Sequence, residues 1–364
     1  MSDNLRVGVL FGGKSSEKEI SLATGRYIYQ LLDQSQFQGL PLFIDQKGQL
    51  WQVPDKLVIQ NTTKDIEARL GKEATKLPWE DLKGKVEVVF NSLLGKYGED
   101  GCIQGLLEIL GVPYTGSGIL ASAVSMDKKV TRELLKYKGF LVPKGFVVSD
   151  PVWRSKVKSQ KSKIQVKIQN EIGYPCVIKP TREGSSVGVV VSHKEEELKK
   201  VMEQALYFDR EVLVEEYIKG KEFMCVVWGN DKPQAMLPTE VEFEGEIHTY
   251  ESKYMPGGSQ YFTPIRIAKK LIAEIQKQAV EIYSLLGMKG YGRIDGFARG
   301  ETIYISEIHT GTIMVPSSYV FHEVSRTKVE LKGKSSLIPM TPKMWVVKIV
   351  EMAIEAHKNK KGLL

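Results

Sequence analysis

The sequence predicts an α/β protein of two or three domains that opens with a doubly wound α/β unit. Three stretches carry this expectation. The apolar run Leu5 to Phe11 enters Gly12-Gly13 and passes into a helical pattern through Ser21, Ala23 and Tyr27. Strand, glycine turn and helix start in that order open a doubly wound sheet, and ligands gather at such a turn. The stretch Tyr174 to Ser192, YPCVIKPTREGSSVGVVVS, reads as strand, polar loop and strand, with Lys179 ending the first strand. The amphipathic run Ala268 to Leu286 feeds two strand-like stretches, GYGRIDGF at 290–297 and TIYISEI at 302–308. A chain of 364 residues is long enough for two or three domains with substantial cores.

In chain order, Ser16 and Glu19 have the S-x-x-E spacing of a capping box and place a helix start there. Glu17 falls in the first helical turn. It suits the helix dipole in any case, and as a functional carboxylate it would bind an ammonium group rather than a phosphate. Strands are expected over Gly39 to Ile44 and Glu87 to Asn91. The loop Gly95 to Gly101 carries three glycines in seven positions and leads into a helix from Ile103 to Leu110. The turn at 111–118 follows, and then a helix through Met126 and Lys128 to Leu135. The expected units are 1–121, 122–209 and 210–364. In the third, strands are expected at Glu222 to Trp228 and Gln234 to Val241, and a helix from Pro342 to His357. Leu213 to Tyr217 reads as a short strand ending in paired carboxylates.

The loop Thr181-Arg182-Glu183-Gly184-Ser185-Ser186 has two readings on local pattern. Gly184 allows backbone N–H groups close to a ligand, the serines add hydroxyls, and Lys179 is a point charge for phosphates. An ordinary hairpin with a long turn has the same composition. The Walker spacing G-x-x-x-x-G-K-[ST] is absent.

Composition excludes several classes. Hydrophobic residues at 42% and charged residues at 26% are those of a globular chain. No apolar run reaches the ~18 residues of a membrane span, and the N-terminus lacks the pattern of a signal peptide. Cys102, Cys176 and Cys225 are odd in number and without metal-ligand spacing, as in a reducing compartment, so a cytoplasmic protein is expected. Much of the net charge of +7 is local, in Arg154, Lys156, Lys158, Lys161, Lys163 and Lys167 and in the last turn and tail. No aromatic residues interleave with these lysines, so a solvated helix or linker is expected rather than a nucleic-acid platform.

The motifs FGGKSSEKEIS, KYGEDGCIQGLLEILGVPYTGSG, ASAVSMDKKVTRELL, IKPTREGSSVGV, LVEEYIKGKEF, YESKY and RIDGF stand in order between residues 11 and 297. Together they resemble the D-alanine–D-alanine ligase family of the ATP-grasp superfamily, over most of residues 5 to 310. The resemblance implies an N-terminal Rossmann-like pre-ATP-grasp domain followed by a two-lobed ATP-grasp fold. It implies ATP-dependent joining of two D-alanines through an acyl phosphate, for a peptidoglycan precursor, by a cytoplasmic homodimer. Lys128 and Lys179 then contact ATP from the two sides of the cleft. Glu215, Tyr217 and Ile218 form the adenine hinge, and Glu222 takes the ribose. Asp295 and Glu307 bind Mg²⁺, or Mn²⁺, with His309 at the position of a further metal ligand. Glu17 binds the first ammonium group and forms a triad with Ser185 and Tyr254. Arg293 stabilises charge on the acyl phosphate, Lys253 lies beside Tyr254, and Ser318 meets the second carboxylate.

The chain departs from the family in three places. Leu94 stands where a histidine is usual. Ser306-Glu307-Ile308-His309-Thr310-Gly311-Thr312-Ile313 replaces N-E-I-N-T-x-P-G, with an imidazole for the amide and Ile313 where the glycine N–H joins the arginine. Residues 319–340 resemble the family's ending poorly. The nucleotide half is thus family-like and the acyl-acceptor half altered. A ligase of other amino-acid specificity, or a nucleotide-binding relative without ligase activity, are the alternatives.

Overall fold

β1 (Leu5–Gly12) lies at the centre of the first sheet, between β2 (Phe37–Ile44) and β5 (Val88–Asn91), with β3 (Leu50–Gln52) and β4 (Thr75–Leu77) beyond β2. β1 pairs in parallel with β2 and β5, while β3 and β4 make an antiparallel edge. Both faces of β1 are covered, and Val7, Val9, Leu10 and Phe11 are fully buried, which is why it reads as an unbroken apolar run. The computed structural model describes residues 4–32, 34, 36–155, 158–248, 253, 257–330 and 337–361. The chain leaves β1 through Gly12 and Gly13, both at positive φ; a Cβ at Gly12 would stand 2.6 Å from the Phe43 ring. The helix that follows, Lys18–Leu31, lacks the expected capping box. The Glu19 carboxylate instead accepts from the Thr63 N–H and hydroxyl at 2.9 and 2.6 Å. A tertiary contact has taken the side chain that the local pattern assigned to the cap, and a capping box forms at Thr62 and Asp65.

A second sheet, antiparallel, has the order β6 (Gly145–Ser149), β9 (Glu211–Glu216), β7 (Cys176–Pro180), β8 (Val190–Ser192). Helices Lys158–Glu171 and Leu198–Leu206 pack on it through Ile168, Met202 and Ala205. The basic segment is therefore largely a surface helix. β8 begins three residues later than expected, because Ser185 and Ser186 sit at positive φ and lengthen the loop. β9 is the middle of this sheet, so we propose that the central unit ends after Glu216 rather than at 209. The expected boundary at 121 falls inside helix Ile119–Met126, whose Ala121 joins the C-terminal core; we propose the break at Gly118.

The third sheet runs β13 (Ser259–Phe262), β12 (Thr239–Phe243), β10 (Lys221–Trp228), β14 (Tyr291–Arg299), β15 (Thr302–His309), with β11 (Gln234–Ala235) on the end of β10. Pro238 cannot donate to a ladder, and the single strand expected over 234–241 is split there into β11 and β12. Helix Lys269–Leu285 covers one face with Ile272, Ile275, Ala279 and Ile282. Beyond β15, helix Tyr319–Arg326 and the hairpin β16 (Lys328–Glu330) and β17 (Leu337–Pro339) lead to helix Pro342–Lys361. Trp345, Val346, Ile349 and Val350 of that last helix share one core with Val7, Val9 and Phe11. The first sheet and the chain's C-terminal helix are thereby locked together.

Candidate active site

β14 and β15 pair so that Asp295 faces Glu307 and Arg293 faces His309. Side chains two apart on a strand, and opposite one another on neighbouring antiparallel strands, share a face. Four charged groups therefore project from one patch of sheet. The Arg293 guanidinium donates to both oxygens of Asp295, at 2.7 and 2.6 Å, and to the Tyr319 hydroxyl. His309 Nε2 lies 3.3 Å from Asp295 Oδ2 and 3.6 Å from Glu307 Oε2. Burial opposes charge on Asp295, yet Arg293 and His309 hold it below its ordinary value. Burial and Arg293 press His309 toward the neutral form, but its bonds to Asp295 and Glu307 prevail and raise it.

Lysines from two other elements close on this patch. Lys179, the last lysine of β7, is 3% exposed and reaches Glu215 Oε1 at 2.6 Å and Glu307 Oε1 at 3.3 Å. Burial lowers its pKa, and the two carboxylates more than reverse that. Lys128, at the start of helix Lys128–Tyr137, lies 3.9 Å from Glu307 and 2.5 Å from the Glu183 carbonyl. Against the effect of burial, these lysines and His309 hold Glu307 well below the carboxylate range.

Two cavities meet here. One of about 350 Å³ is lined by Lys179, Glu215, Tyr217, Ile218 and Phe297. The other, of about 460 Å³, is lined by Glu17, Leu94, Ser185, His309, Ile313 and Ser318. Glu222, Lys253, Arg293, Asp295 and Glu307 line both. Desolvation, aided by Asp295 and Glu307, raises Glu222 to about 7, so a carboxyl rather than a carboxylate is its resting form at lower pH. Lys253 Nζ is 2.9 Å from Ser186 Oγ, and that hydroxyl donates to the His248 carbonyl at 2.7 Å.

Glu17 sits at the far end of the larger cavity and accepts from the Ser185 hydroxyl. Burial, then Glu99, pushes its pKa to about 7. We propose that the ammonium group of an amino acid supplies a counter-charge there. The KM of the amino acid bound there is expected to fall as pH rises through about 7, because the carboxylate then forms. Glu17→Gln should raise that KM on the order of tenfold or more, leave the KM for ATP little changed and erase the pH trend. Steady-state kinetics at several pH values measure this; equal effects on both substrates would remove Glu17 from the amino-acid site.

Of the residues expected from sequence, all but one come together around the two cavities. Tyr254 lies outside the described residues, so the triad is seen as its Glu17–Ser185 pair. Ser318 lines the larger cavity, but its hydroxyl caps helix Tyr319–Arg326 and donates to the Ile313 carbonyl at 2.6 Å. Tyr217 donates its hydroxyl to the Glu246 carbonyl at 3.0 Å. Leu94 is 4% exposed and fills the wall between the larger cavity and an outer pocket. Sequence reasoning missed Tyr319, which bonds Arg293 and Thr312 from the segment that resembles the family poorly. It also missed Glu99, which receives the Gly95 and Gly311 N–H groups at 2.7 and 3.0 Å and joins the two walls. The E-D of the Y-G-E-D-G motif was a signal for Glu99; Tyr319 had none.

Three sheets enclosing a lysine-bracketed acidic patch define an ATP-grasp ligase fold. The D-ala D-ala ligase N-terminus family matches residues 6–117, and the D-ala D-ala ligase C-terminus family matches residues 143–332. A D-alanine–D-alanine ligase of Geobacillus thermodenitrificans is 32% identical, over 98% of this chain and 97% of its own. The VanG D-Ala:D-Ser ligase of Enterococcus faecalis superposes with a TM-score of 0.80 at 28% identity, over 96% of this chain and 100% of its own. The Bacillus anthracis D-alanine–D-alanine ligase complexed with ATP does so with a TM-score of 0.72 at 24% identity, over 99% and 100%. The chain belongs to the D-alanine–D-alanine ligase family of ATP-dependent ligases.

Proposed function

We propose that the smaller cavity holds ATP, the larger one two D-alanines, and that the groups shared by both carry the transfer. One observation bears most of this reading: Arg293, Asp295 and Glu307 stand where the two cavities meet, with Lys128 and Lys179 bracketing Glu307. The first D-alanine, its ammonium on Glu17, attacks the γ-phosphorus through its carboxylate, and ADP leaves. Lys128 and Lys179 screen the phosphate charge. The second amine attacks the acyl carbon, the bond from that carbon to the phosphate oxygen breaks, and inorganic phosphate leaves with the proton the amine sheds. Arg293 faces the oxyanion of that step, fixed by Asp295 and Tyr319. No side chain serves as a nucleophile; rate comes from positioning, charge and exclusion of water.

Asp295 and Glu307 are the hard oxygen donors that a Mg²⁺ or Mn²⁺ ion on the phosphates requires, and such an ion would neutralise charge on the triphosphate. Among the described residues no group of three or more His, Cys, Asp and Glu has the arrangement of a metal site. The donor set fits an ion shared with phosphate oxygens, while His309, held between two carboxylates, serves as their counter-ion. His309→Asn is therefore expected to keep or improve turnover in Mg²⁺, since the amide brings an oxygen donor of similar reach. Loss of turnover in a folded variant would show that the imidazole's charge, and not an oxygen donor, is what the site needs at 309.

D-alanine is favoured as the first substrate by the family. For the acceptor, the likeness to a D-Ala:D-Ser ligase, together with the polar His309 at the wall, makes D-serine the second candidate. The resemblance also supports a cytoplasmic homodimer, and among the described residues no helix is long and apolar enough to cross a membrane. Phosphate release from ATP over a panel of D-amino acids, with the dipeptide identified by mass, tests the reading.

A further inference from the structure

The loop between β7 and β8 has little backbone support of its own. Its internal bonds are two turns, Val187 N–H to the Gly184 carbonyl at 3.0 Å and Val189 N–H to the Ser186 carbonyl at 3.2 Å. Backbone bonds hold its start, Thr181 N–H to the Glu211 carbonyl at 3.2 Å and Lys128 N–H to the Thr181 carbonyl at 3.0 Å, and side chains reaching out of it add further contacts. Two of these contacts tie it to the N-terminal domain: Ser185 on Glu17, and an ion pair between Glu183 and Lys96. The second pair stands directly beside the first. A Cβ at Gly95 would come 2.2 Å from Glu17 Oε2 and one at Gly184 would come 2.7 Å from it. The Glu17 carboxylate thus lies between these two glycines, and a residue adjacent to each, Lys96 after Gly95 and Glu183 before Gly184, is a partner of the ion pair. Glu183 also presents its backbone carbonyl to Lys128, which lies beside Glu307. The Glu183 side chain is 11% exposed, whereas that of Lys96 is 41% exposed and lines the outer pocket rather than the larger cavity.

We propose that Lys96 is a positioning residue. Its ion pair with Glu183 latches the phosphate loop onto the amino-acid end of the site and so decides whether the acyl phosphate meets an amine or water. This rests on the ligase reading above. With the latch shut, the second amine attacks the acyl carbon and phosphate departs. With it open, a water oxygen bonds to the same carbon, the bond from that carbon to the phosphate oxygen breaks, and phosphate and the first amino acid are released; the net result is hydrolysis of ATP. Lys96 touches neither substrate, so its effect falls on coupling rather than on the chemical step.

The test uses the full chain, Lys96→Glu, and the swapped double variant Lys96→Glu/Glu183→Lys. ADP formed per dipeptide is measured with ATP, Mg²⁺ and D-alanine at roughly 0.05 and 0.5 M salt, which span strong and weak screening. Lys96→Glu should raise that ratio about tenfold, as small displacements at a closed site do, and the swap should bring it back toward the unmodified value. High salt should raise the ratio in the unmodified chain and alter it little in Lys96→Glu. Hydrogen exchange of residues 181–189 in the ligand-free chain is read in parallel, because it needs no assumption about substrate. Faster exchange in Lys96→Glu, slowed again by the swap, supports the latch even if D-alanine is not the substrate. Unchanged exchange in a folded Lys96→Glu overturns it, and so does faster exchange with an unaltered ratio.

Discussion

Lys179→Ala is expected to lower turnover by about a thousandfold or more and to weaken the fold at the same time. The ammonium group is buried between Glu215 and Glu307, at 2.6 and 3.3 Å, at the end of the strand that leads into the phosphate loop. Removing it takes away charge from the proposed triphosphate site and deprives two enclosed carboxylates of their nearest cation. Breaking a buried pair from one side typically costs about 3–5 kcal/mol. Phosphate release and thermal unfolding, measured on the same preparation, separate the two effects. A folded variant with a near-normal kcat would show that the 174–192 stretch has nothing to do with phosphates. The linkage has a sign that can be checked as well. Glu307 and Asp295 are held below their ordinary values of 4.5 and 3.8. The stability they contribute is present above those values and is lost as pH falls through the depressed ones.

Arg293→Lys carries the second large effect, a fall in kcat of about 10²–10³-fold with little change in the KM for ATP. The planar guanidinium bonds both oxygens of Asp295 and the Tyr319 hydroxyl at once. An ammonium group is a point charge and cannot hold that fork, so charge is retained while orientation is lost. Single-turnover kinetics at saturating ATP measure the chemical step directly. A lysine variant with unaltered chemistry would place the oxyanion elsewhere.

What could be read from sequence divides along a physical line. β1, β5 and the 174–192 stretch announced themselves because strands buried on both faces are unbroken apolar runs, and because glycines mark their exits. RIDGF and ISEI placed Arg293, Asp295 and Glu307 on strands, and a strand's period of two puts Arg293 and Asp295 on one face. The sequence did not show that Arg293 and His309 stand opposite each other, since register belongs to the pairing of two strands and not to either alone. β3 and β4 are three residues each, too short to leave a period. β6 was missed, and β9 was assigned to the wrong neighbour, because its partners lie far off in sequence. Glu19 had the spacing of a cap and found Thr63, which no local pattern could reveal. Tyr319 lies in the segment that looked divergent, yet it holds Arg293, while the C-terminal helix expected from Pro342 closes the first core; packing needs only apolar bulk there, and many sequences supply it.

Orthophosphate and dipeptide formation, followed together with ATP, Mg²⁺ and D-alanine as the sole amino acid, tests the central claim most directly. The account predicts one phosphate released for each D-alanyl-D-alanine formed, and loss of both in Lys179→Ala. Phosphate release that is independent of any D-amino acid, or none with the whole panel from a folded chain that binds ATP, would contradict it.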